Sequence, residues 1–216
     1  MAEAPAPAPT PPAIVQTLTD LSAQAEGILT GDNTFADFNL GSFLLKSETS
    51  IVSVPALSEQ GWLVAESKGL PLPILPGSVE LSVDGHPSGK TTLPEHGSGS
   101  DLLVAFGRTP RVHASREKIV SKEGSTWTGR GRLEDGYTIE VSNSMPHTVT
   151  VALRDRIPVS SRENISVETL RIDPKPEEHT EQNLLTWKLS LAPGEKRTVQ
   201  VLFRLGYPSD ETLLFR

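Results

Sequence analysis

The sequence predicts an all-β protein: an antiparallel β-sandwich with an immunoglobulin-like C-terminal half, preceded by a Pro/Ala-rich arm and one short helix. Three observations predict this. From about residue 40 onward, apolar residues recur at every second position, which is the period of a strand with one wet face. Pro and Gly punctuate these runs, as turns require. Five such runs follow residue 132, within about 75 residues, a spacing typical of immunoglobulin-like sandwiches.

Size and composition limit the classes of function. The 216 residues are 36% hydrophobic, enough for one large β domain or two small ones with buried cores. A net charge of −7, without a block of Lys and Arg, is not expected of a nucleic-acid partner. No run of about 18 apolar residues is present, so we expect no membrane-spanning segment. The absence of Cys excludes disulfide frameworks, thiolate nucleophiles and Cys-based metal sites.

Residues 1–12 form the first predicted segment, an extended arm. Proline at nearly every second position favours polyproline II and prevents strand pairing. We expect the arm to contact protein subunits of a larger assembly, including other copies of this chain. The prolines that carry this expectation are Pro5, Pro7, Pro9, Pro11 and Pro12.

Residues 13–31 are predicted to form the short helix. The apolar side chains in this segment are spaced alternately four and three residues apart, which places them on one helical face. They are Ile14, Leu18, Leu21, Ala25 and Ile28.

Residues 40–131 are predicted to form a β-rich subdomain. Its short strands are expected at 50–56, 61–66, 78–84 and 101–106. Asp84 and Gly85 predict a tight hairpin turn to a further strand over 89–93, because such turns need residues with positive φ.

Residues 132–216 are predicted to form the immunoglobulin-like sandwich. Its strands are centred on five alternating apolar runs, two of which, 137–142 and 149–154, are joined by Asn143–Pro146 in a hairpin-like connection. Before the last strand, Pro193 and Gly194 predict a turn, since Pro presets φ and Gly takes the left-handed position.

Three further residues are assigned structural roles. Asp155 is expected to cap a turn by accepting hydrogen bonds from following backbone N–H groups. Pro158 is expected to end the strand ladder, because it has no N–H to donate. Trp187 lies in phase with its apolar neighbours and is expected to fill the core.

No catalytic, metal-binding or cofactor-binding arrangement is recognisable, so we expect a protein that is not an enzyme and needs no cofactor. The five histidines lack the spacing of metal ligands. A partner contact is the functional interpretation of Trp127, in a Ser/Thr/Gly-rich segment, and of Arg130 and Arg132, which suit an acidic partner or a glycan carboxylate. The alternative interpretation is that these two arginines lie in a solvated loop and contact no partner.

Several segments in order along the chain resemble the C-terminal β domain of the mucoidy inhibitor A-like family. The two most specific are Asp155–Ser160 and Leu185–Lys196; the others are 75–85, 101–107, 137–143 and 207–208. The resemblance covers roughly residues 50–208 and implies a β-rich, envelope-associated bacterial protein, with no catalytic residues to carry over. Typical members have an N-terminal β domain and a coiled coil where this chain has the arm and short helix.

Our leading functional hypothesis is a non-enzymatic structural or interaction protein of the bacterial envelope or an extracellular assembly, acting through its N-terminal arm and sheet edges. The alternatives are a surface-glycan-binding sandwich and, less favoured, a hydrolase. The start Met1-Ala-Glu-Ala-Pro lacks the charged and apolar regions of a secretory signal but is typical of the residues after a cleavage site. We therefore expect a periplasmic, cell-surface or extracellular location, with a cytoplasmic one left open.

Overall fold

The computed structural model describes residues 14–17, 21–25, 31, 38–119, 122–125 and 130–208. All regular elements in these ranges are β-strands, which confirms the predicted all-β class. Within the same ranges no helix is long and apolar enough to cross a membrane. The arm over 1–12 and Trp127 lie outside the described residues. The strands are β1 Ile14–Gln16, β2 Leu21–Ala23, β3 Ser47–Ser53, β4 Gln60–Ser67, β5 Gly77–Val83, β6 His86–Leu93, β7 Leu102–Lys118, β8 Lys122–Ser125, β9 Arg130–Asn143, β10 Val149–Arg156, β11 Ser166–Asp173, β12 Glu178–His179, β13 Leu184–Leu191 and β14 Lys196–Pro208.

The predicted helix over 13–31 is wrong in the part that the structure describes. There β1 and β2 pair antiparallel, with Ile14 opposite Ala23 and Gln16 opposite Leu21. The helical spacing of the apolar residues competed with a run of β-branched residues, including Val15 and Thr17, which favour extended backbone.

The chain divides into two compact units, and each is built from separate stretches of sequence. The first contains residues 1–48 and 65–106, and the second contains residues 49–64 and 107–216. The predicted division between 40–131 and 132–216 differs from this, since residue 132 lies inside strand β9. The alternation of apolar and polar residues locates each strand. It does not show that residues 49–64 belong to the same compact unit as residues 107–216.

The first unit contains two two-stranded pairs. In one, β5 and β6 form the predicted hairpin, and Asp84 and Gly85 at its turn have φ values of 50° and 76°. Both residues are left-handed, as the tight turn requires. Leu70 is buried, and its backbone N–H donates to the carbonyl of Ser100 at 2.8 Å.

A ten-stranded sheet contains the strands of the second unit. Its order is β11-β14-β9-β7-β4-β3-β10-β13-β12, with β8 paired to β9 beside this path. The pairing of β3 with β10 is parallel, with Ile51 opposite Val151, so the sheet is mixed and the predicted wholly antiparallel arrangement is wrong. Parallel partners lie far apart in sequence, and a periodic pattern carries no information about strand direction.

One hydrophobic core lies in the second unit. Strands β9 and β14, near one end of the sheet path, and β10 and β13, near the other, contribute to it together. Trp187 on β13 is 2% exposed, and its Nε1–H donates to the carbonyl of Pro174 at 2.8 Å. Burial with a satisfied indole N–H is the favourable environment for a tryptophan.

The predicted hairpin-like connection between β9 and β10 is wrong, because these strands are not neighbours in the sheet. Asn143, at the end of β9, is buried, and its side chain holds the connection that leaves the strand. Its Nδ2 donates to the carbonyls of His147, Leu191 and Ala192, and its Oδ1 accepts from Met145 N–H at 2.8 Å. The buried amide therefore finds hydrogen-bond partners for both its nitrogen and its oxygen, as buried polar groups require.

Pro193 and Gly194 occupy a turn between β13 and β14. Gly194 has a φ of 72°, and the Glu195 N–H donates to the Ala192 carbonyl at 3.0 Å. The turn joins strands that pair with different partners: β13 with β10 and β12, and β14 with β9 and β11.

Candidate functional site

A cleft lies where the core face of three strands changes from apolar to charged. On β7, Val112 and Ala114 are fully buried, and the next residues in phase with them are Arg116 and Lys118. Since alternate residues of a strand share one face, both basic side chains continue the face that carries the core.

Strands β9 and β10 change in the same way. Going back along β9, Ile139 is followed in phase by Tyr137 and then Asp135. On β10, Leu153 is followed in phase by Asp155. The hydrophobic core therefore ends in a layer of ionisable side chains, which is the location of the cleft.

Arg116 is the centre of this layer. Its Nε donates to Asp155 Oδ2 at 2.9 Å, and its Cζ lies 3.7 Å from the centroid of the Tyr137 ring. The Asp155 side chain is 2% exposed and also accepts the Arg156 N–H at 2.7 Å. Arg116 thus stacks on an aromatic ring while neutralising a buried carboxylate, two roles suited to a planar guanidinium.

A second ion pair lies beside the first. Lys118 Nζ is 3.0 Å from Asp135 Oδ2, and Asp135 Oδ1 accepts the Gly136 N–H at 2.7 Å. Asp135, like Asp155, is buried while its basic partner reaches solvent. Both carboxylates of the cleft are therefore held by a cation and by a backbone N–H.

The cleft has a volume of about 510 Å³, and its lining includes the apolar residues Ala56, Pro158 and Val159. Val159 is 54% exposed. Leu57, which directly follows Ala56, is 86% exposed. We name Ala56, Leu57, Pro158 and Val159 the apolar lip. A charged floor beside an exposed apolar lip is typical of a binding surface.

The Tyr137 phenol is kept protonated. Its hydroxyl donates to the Arg156 carbonyl at 3.1 Å, and burial, followed by the negative charge of Asp155, raises the pKa of the phenol above its usual value. This phenol therefore acts as a hydrogen-bond donor and not as a base at neutral pH.

The raised pKa of Tyr137 predicts a loss of stability in alkali. The unfolded chain ionises the phenol above its ordinary pKa of 10.0, whereas the folded chain resists ionisation, so unfolding releases a proton. In the wild-type protein, the free energy of unfolding should fall as pH rises above 10.0. In the Tyr137→Phe variant, the free energy of unfolding should fall less steeply over the same range. Urea titrations of both proteins across this range measure the difference; parallel curves would show that Tyr137 does not contribute.

The arrangement suits binding better than proton transfer. Each cleft carboxylate is already paired with a basic side chain and with a backbone N–H, which favours a structural role for it in a binding surface. Among the described residues, no group of three or more His, Asp and Glu side chains is placed to hold a metal ion.

The residues singled out from the sequence fall in different places. Asp155 and Pro158 line the cleft, but Asp155 lies in strand β10 and not in the turn that was expected. Trp187 lies in the core, and Pro193 and Gly194 lie in the β13–β14 turn.

Arg130 and Arg132 lie in strand β9, together with Arg204 of β14, and line a different pocket. The expected solvated loop is therefore replaced, at these two positions, by regular strand.

Sequence reasoning did not find Arg116, Lys118 or Asp135. The available signal was a charged residue in phase with the apolar positions of a strand. That signal is weak in one strand alone, because a charge at a strand end is more often a solvated residue. A charged residue in phase with apolar positions indicates a site only when three strands carry one at the same end of one core, and that arrangement is visible only in the folded structure.

The fold and the site define a class: an all-β protein with a charged cleft at the end of its core. The chain belongs to the family described as domain of unknown function DUF4139, whose sequence pattern matches residues 11–209. It is 24% identical over 191 residues to Protein F37C4.5 of Caenorhabditis elegans, an alignment of 82% of this chain and 34% of the worm protein. The chain thus spans about a third of that relative's length. No solved structure matches the chain.

Proposed function

We propose that this protein is a non-enzymatic interaction domain of a larger protein assembly, in the bacterial envelope or outside the cell. The observation that carries the proposal is the cleft, whose two carboxylates are neutralised by Arg116 and Lys118 while the apolar lip is exposed. In the described part of the cleft both carboxylates are paired with cations, and exposed aliphatic side chains gain free energy when a protein surface covers them.

Sheet edges supply a second contact surface in this proposal. Strand β11 ends the sheet path, and in the described part of the chain it pairs with β14 alone. Its side chains are mostly exposed, and a register shift lies between Thr169 and Arg171. An unpaired edge is a template for a strand from another chain.

Two finer points belong to the same proposal. Strands from both ends of the sheet path share one core, which supports an immunoglobulin-like sandwich for the second unit. The resemblance to the mucoidy inhibitor A-like family supports the envelope location and the arm as a further contact.

A surface-glycan-binding module is the second candidate, favoured by Trp62 on β4. Its ring is partly exposed, and sugars stack on such rings. The Arg108 guanidinium lies 5.6 Å from the ring centroid, so one ring face already has a partner. The apolar lip offers two exposed aliphatic side chains, Leu57 at 86% and Val159 at 54%, and we therefore favour a protein partner.

Charging the apolar lip tests the proposal. We expect the wild-type chain to be found in the envelope fraction of its source cell. Its native mass there should lie well above its own 23.3 kDa, because it is part of a complex. The double variant Leu57→Lys and Val159→Lys should leave this complex, because two cations oppose burial of the lip. Its free energy of unfolding should change by less than about 0.5 kcal/mol per site, as for other surface changes.

Leu103→Lys is the matched control, since Leu103 is 58% exposed but belongs to the first unit, whereas the lip residues belong to the second. It should remain in the complex. A wild-type protein that migrates as a monomer, or a double variant that stays in the complex, would contradict the proposal.

A further inference from the structure

Strand β11 carries different side chains on its two faces. Seven of its residues lie opposite residues of β14, and Leu170 is skipped where the register shifts. One face carries the residues that lie opposite buried positions of β14: Val167, Thr169 and Ile172. The other face carries polar and charged residues: Ser166, Glu168, Arg171 and Asp173.

The side of β11 away from β14 has no strand beside it in the described part of the chain. The free backbone N–H and C=O groups of an edge strand are a template for pairing. The edge is also partly apolar, since Val167 and Ile172 are only partly buried and Leu170 is 38% exposed. Strand β11 contains no lysine, the residue that commonly protects a free edge.

A two-fold axis at Thr169 makes β11 complementary to itself. In an antiparallel pair centred there, with Leu170 skipped in both copies as it is against β14, Glu168 lies opposite Arg171 of the second copy. Symmetry repeats this pair on the other side of the axis. Val167 and Ile172 lie opposite each other in the same way, on the face that carries the core. Opposite charges and aliphatic pairs in these positions stabilise a sheet.

Charge selects this register over its neighbours. An axis at Glu168 would place that carboxylate opposite its own copy, and an axis at Arg171 would do the same to the guanidinium. Like charges directly opposite each other destabilise a strand pair. An axis between two residues is excluded, because it would set the core face of one copy against the charged face of the other.

The two charged side chains are accessible to a second copy. Glu168 is 62% exposed and Arg171 is 57% exposed. Glu168 Oε2 accepts Arg204 Nη1 at 2.9 Å, and Arg171 Nη2 donates to Asp173 Oδ2 at 2.6 Å. A carboxylate accepts several hydrogen bonds and a guanidinium has several N–H donors, so both groups retain capacity for the pair across the edge.

We infer that two copies of this chain form a dimer by pairing their β11 strands antiparallel, about a two-fold axis at Thr169. The same surface is used by both copies, so the interface closes and adds no third copy at this edge. The inference rests on the proposed function, because it names the strand that pairs with a sheet edge of the interaction domain.

Charge reversal tests the inference in the purified full chain. Over a concentration series, sedimentation velocity should show the wild type reaching twice its 23.3 kDa. Glu168→Arg and Arg171→Glu should each weaken the dimer about tenfold or more, because each sets like charges opposite one another on both sides of the axis.

Mixing these two variants should restore a dimer, since one then presents arginine at both positions and the other presents glutamate at both. Restoration also shows that both variants are folded. Arg154→Glu is the matched control: it reverses the charge of an exposed residue of β10 and should leave the dimer unchanged.

A cysteine at the axis tests the register. The chain has no cysteine, so Thr169→Cys introduces a single thiol. Directly opposite residues of antiparallel strands have Cα atoms about 4.5–5.5 Å apart, within the range of about 4.4–6.8 Å that a disulfide spans. Mild oxidation should therefore give a covalent dimer on a non-reducing gel. Thr198→Cys is the control, since this exposed threonine of β14 is paired with β9, and it should not cross-link.

A wild type that stays monomeric at every concentration, a dimer that neither charge reversal weakens, or equal cross-linking of Thr169→Cys and Thr198→Cys would overturn the inference. Two monomeric charge variants that do not dimerise when mixed would overturn it as well. The double variant of the apolar lip keeps β11 intact and should still dimerise when purified. A complex in the source cell with a monomeric purified chain refutes this inference alone, whereas a dimer without a further partner in the source cell refutes only the proposed assembly.

Discussion

Replacing Arg116 by methionine is expected to lower the free energy of unfolding by about 3 kcal/mol. The Asp155 side chain is 2% exposed, and without Arg116 Nε its Oδ2 would remain a buried charge with no cation beside it. Removal of one partner of a buried ion pair typically costs about 3–5 kcal/mol. We place this variant at the lower end, because the Arg116 side chain is itself 32% exposed. Urea denaturation at neutral pH measures the loss.

The double variant Arg116→Met and Asp155→Leu is the control for this prediction. If the cost comes from the stranded carboxylate, removing both charges should restore most of the stability, since buried ion pairs are often replaceable by apolar residues. A loss below about 1 kcal/mol in Arg116→Met would mean that water solvates Asp155 as well as the guanidinium does.

Truncating Trp187 to alanine is expected to cost about 3–5 kcal/mol. The indole is 2% exposed in the hydrophobic core of the second unit, so its removal leaves a cavity between neighbouring strands. The variant also strands the Pro174 carbonyl, which accepts the Nε1–H at 2.8 Å.

Trp187→Phe separates the two contributions. It retains most of the packing but cannot donate to Pro174, so its cost should be about 1–3 kcal/mol, below that of the alanine variant. Chemical denaturation of both variants measures the difference. Equal losses in the two variants would show that the hydrogen bond, and not the packing, dominates.

The two arginines of the Gly-Arg-Gly-Arg segment show how far sequence reasoning reaches. The residue types pointed to an acidic contact, but the third guanidinium, Arg204, lies about 70 positions away and reaches the pocket only through the pairing of β9 with β14. The same is true of the cleft, where Arg116 and Asp155 meet from strands 39 positions apart. Contacts between residues so far apart in sequence depend on the order of the strands in the sheet, and hydrophobic periodicity carries no information about that order.

Asp155 shows which of its contacts can be predicted from the sequence and which cannot. Its residue type predicts a side chain that accepts a neighbouring backbone N–H, and it does accept the Arg156 N–H. Its burial and its partner Arg116 are set by the position of β10 in the sheet. Local hydrogen bonds of Asp follow from sequence, whereas the charge that it meets does not.

By itself, the sequence determined that the protein is all-β, where most strands of residues 47–208 run, and that the turns at Asp84–Gly85 and at Gly194 carry left-handed residues, because period-two alternation and the chemistry of Gly, Pro and Asp are local. Only the tertiary structure decided that residues 14–23 pair as strands, that β3 lies parallel to β10, and that residues 49–64 join the second unit. It also decided the cleft and the pocket that Arg130, Arg132 and Arg204 line. The physical reason is that these features depend on the pairing of strands that are far apart in sequence. The free energy of that pairing depends on which apolar faces cover one another in the folded chain.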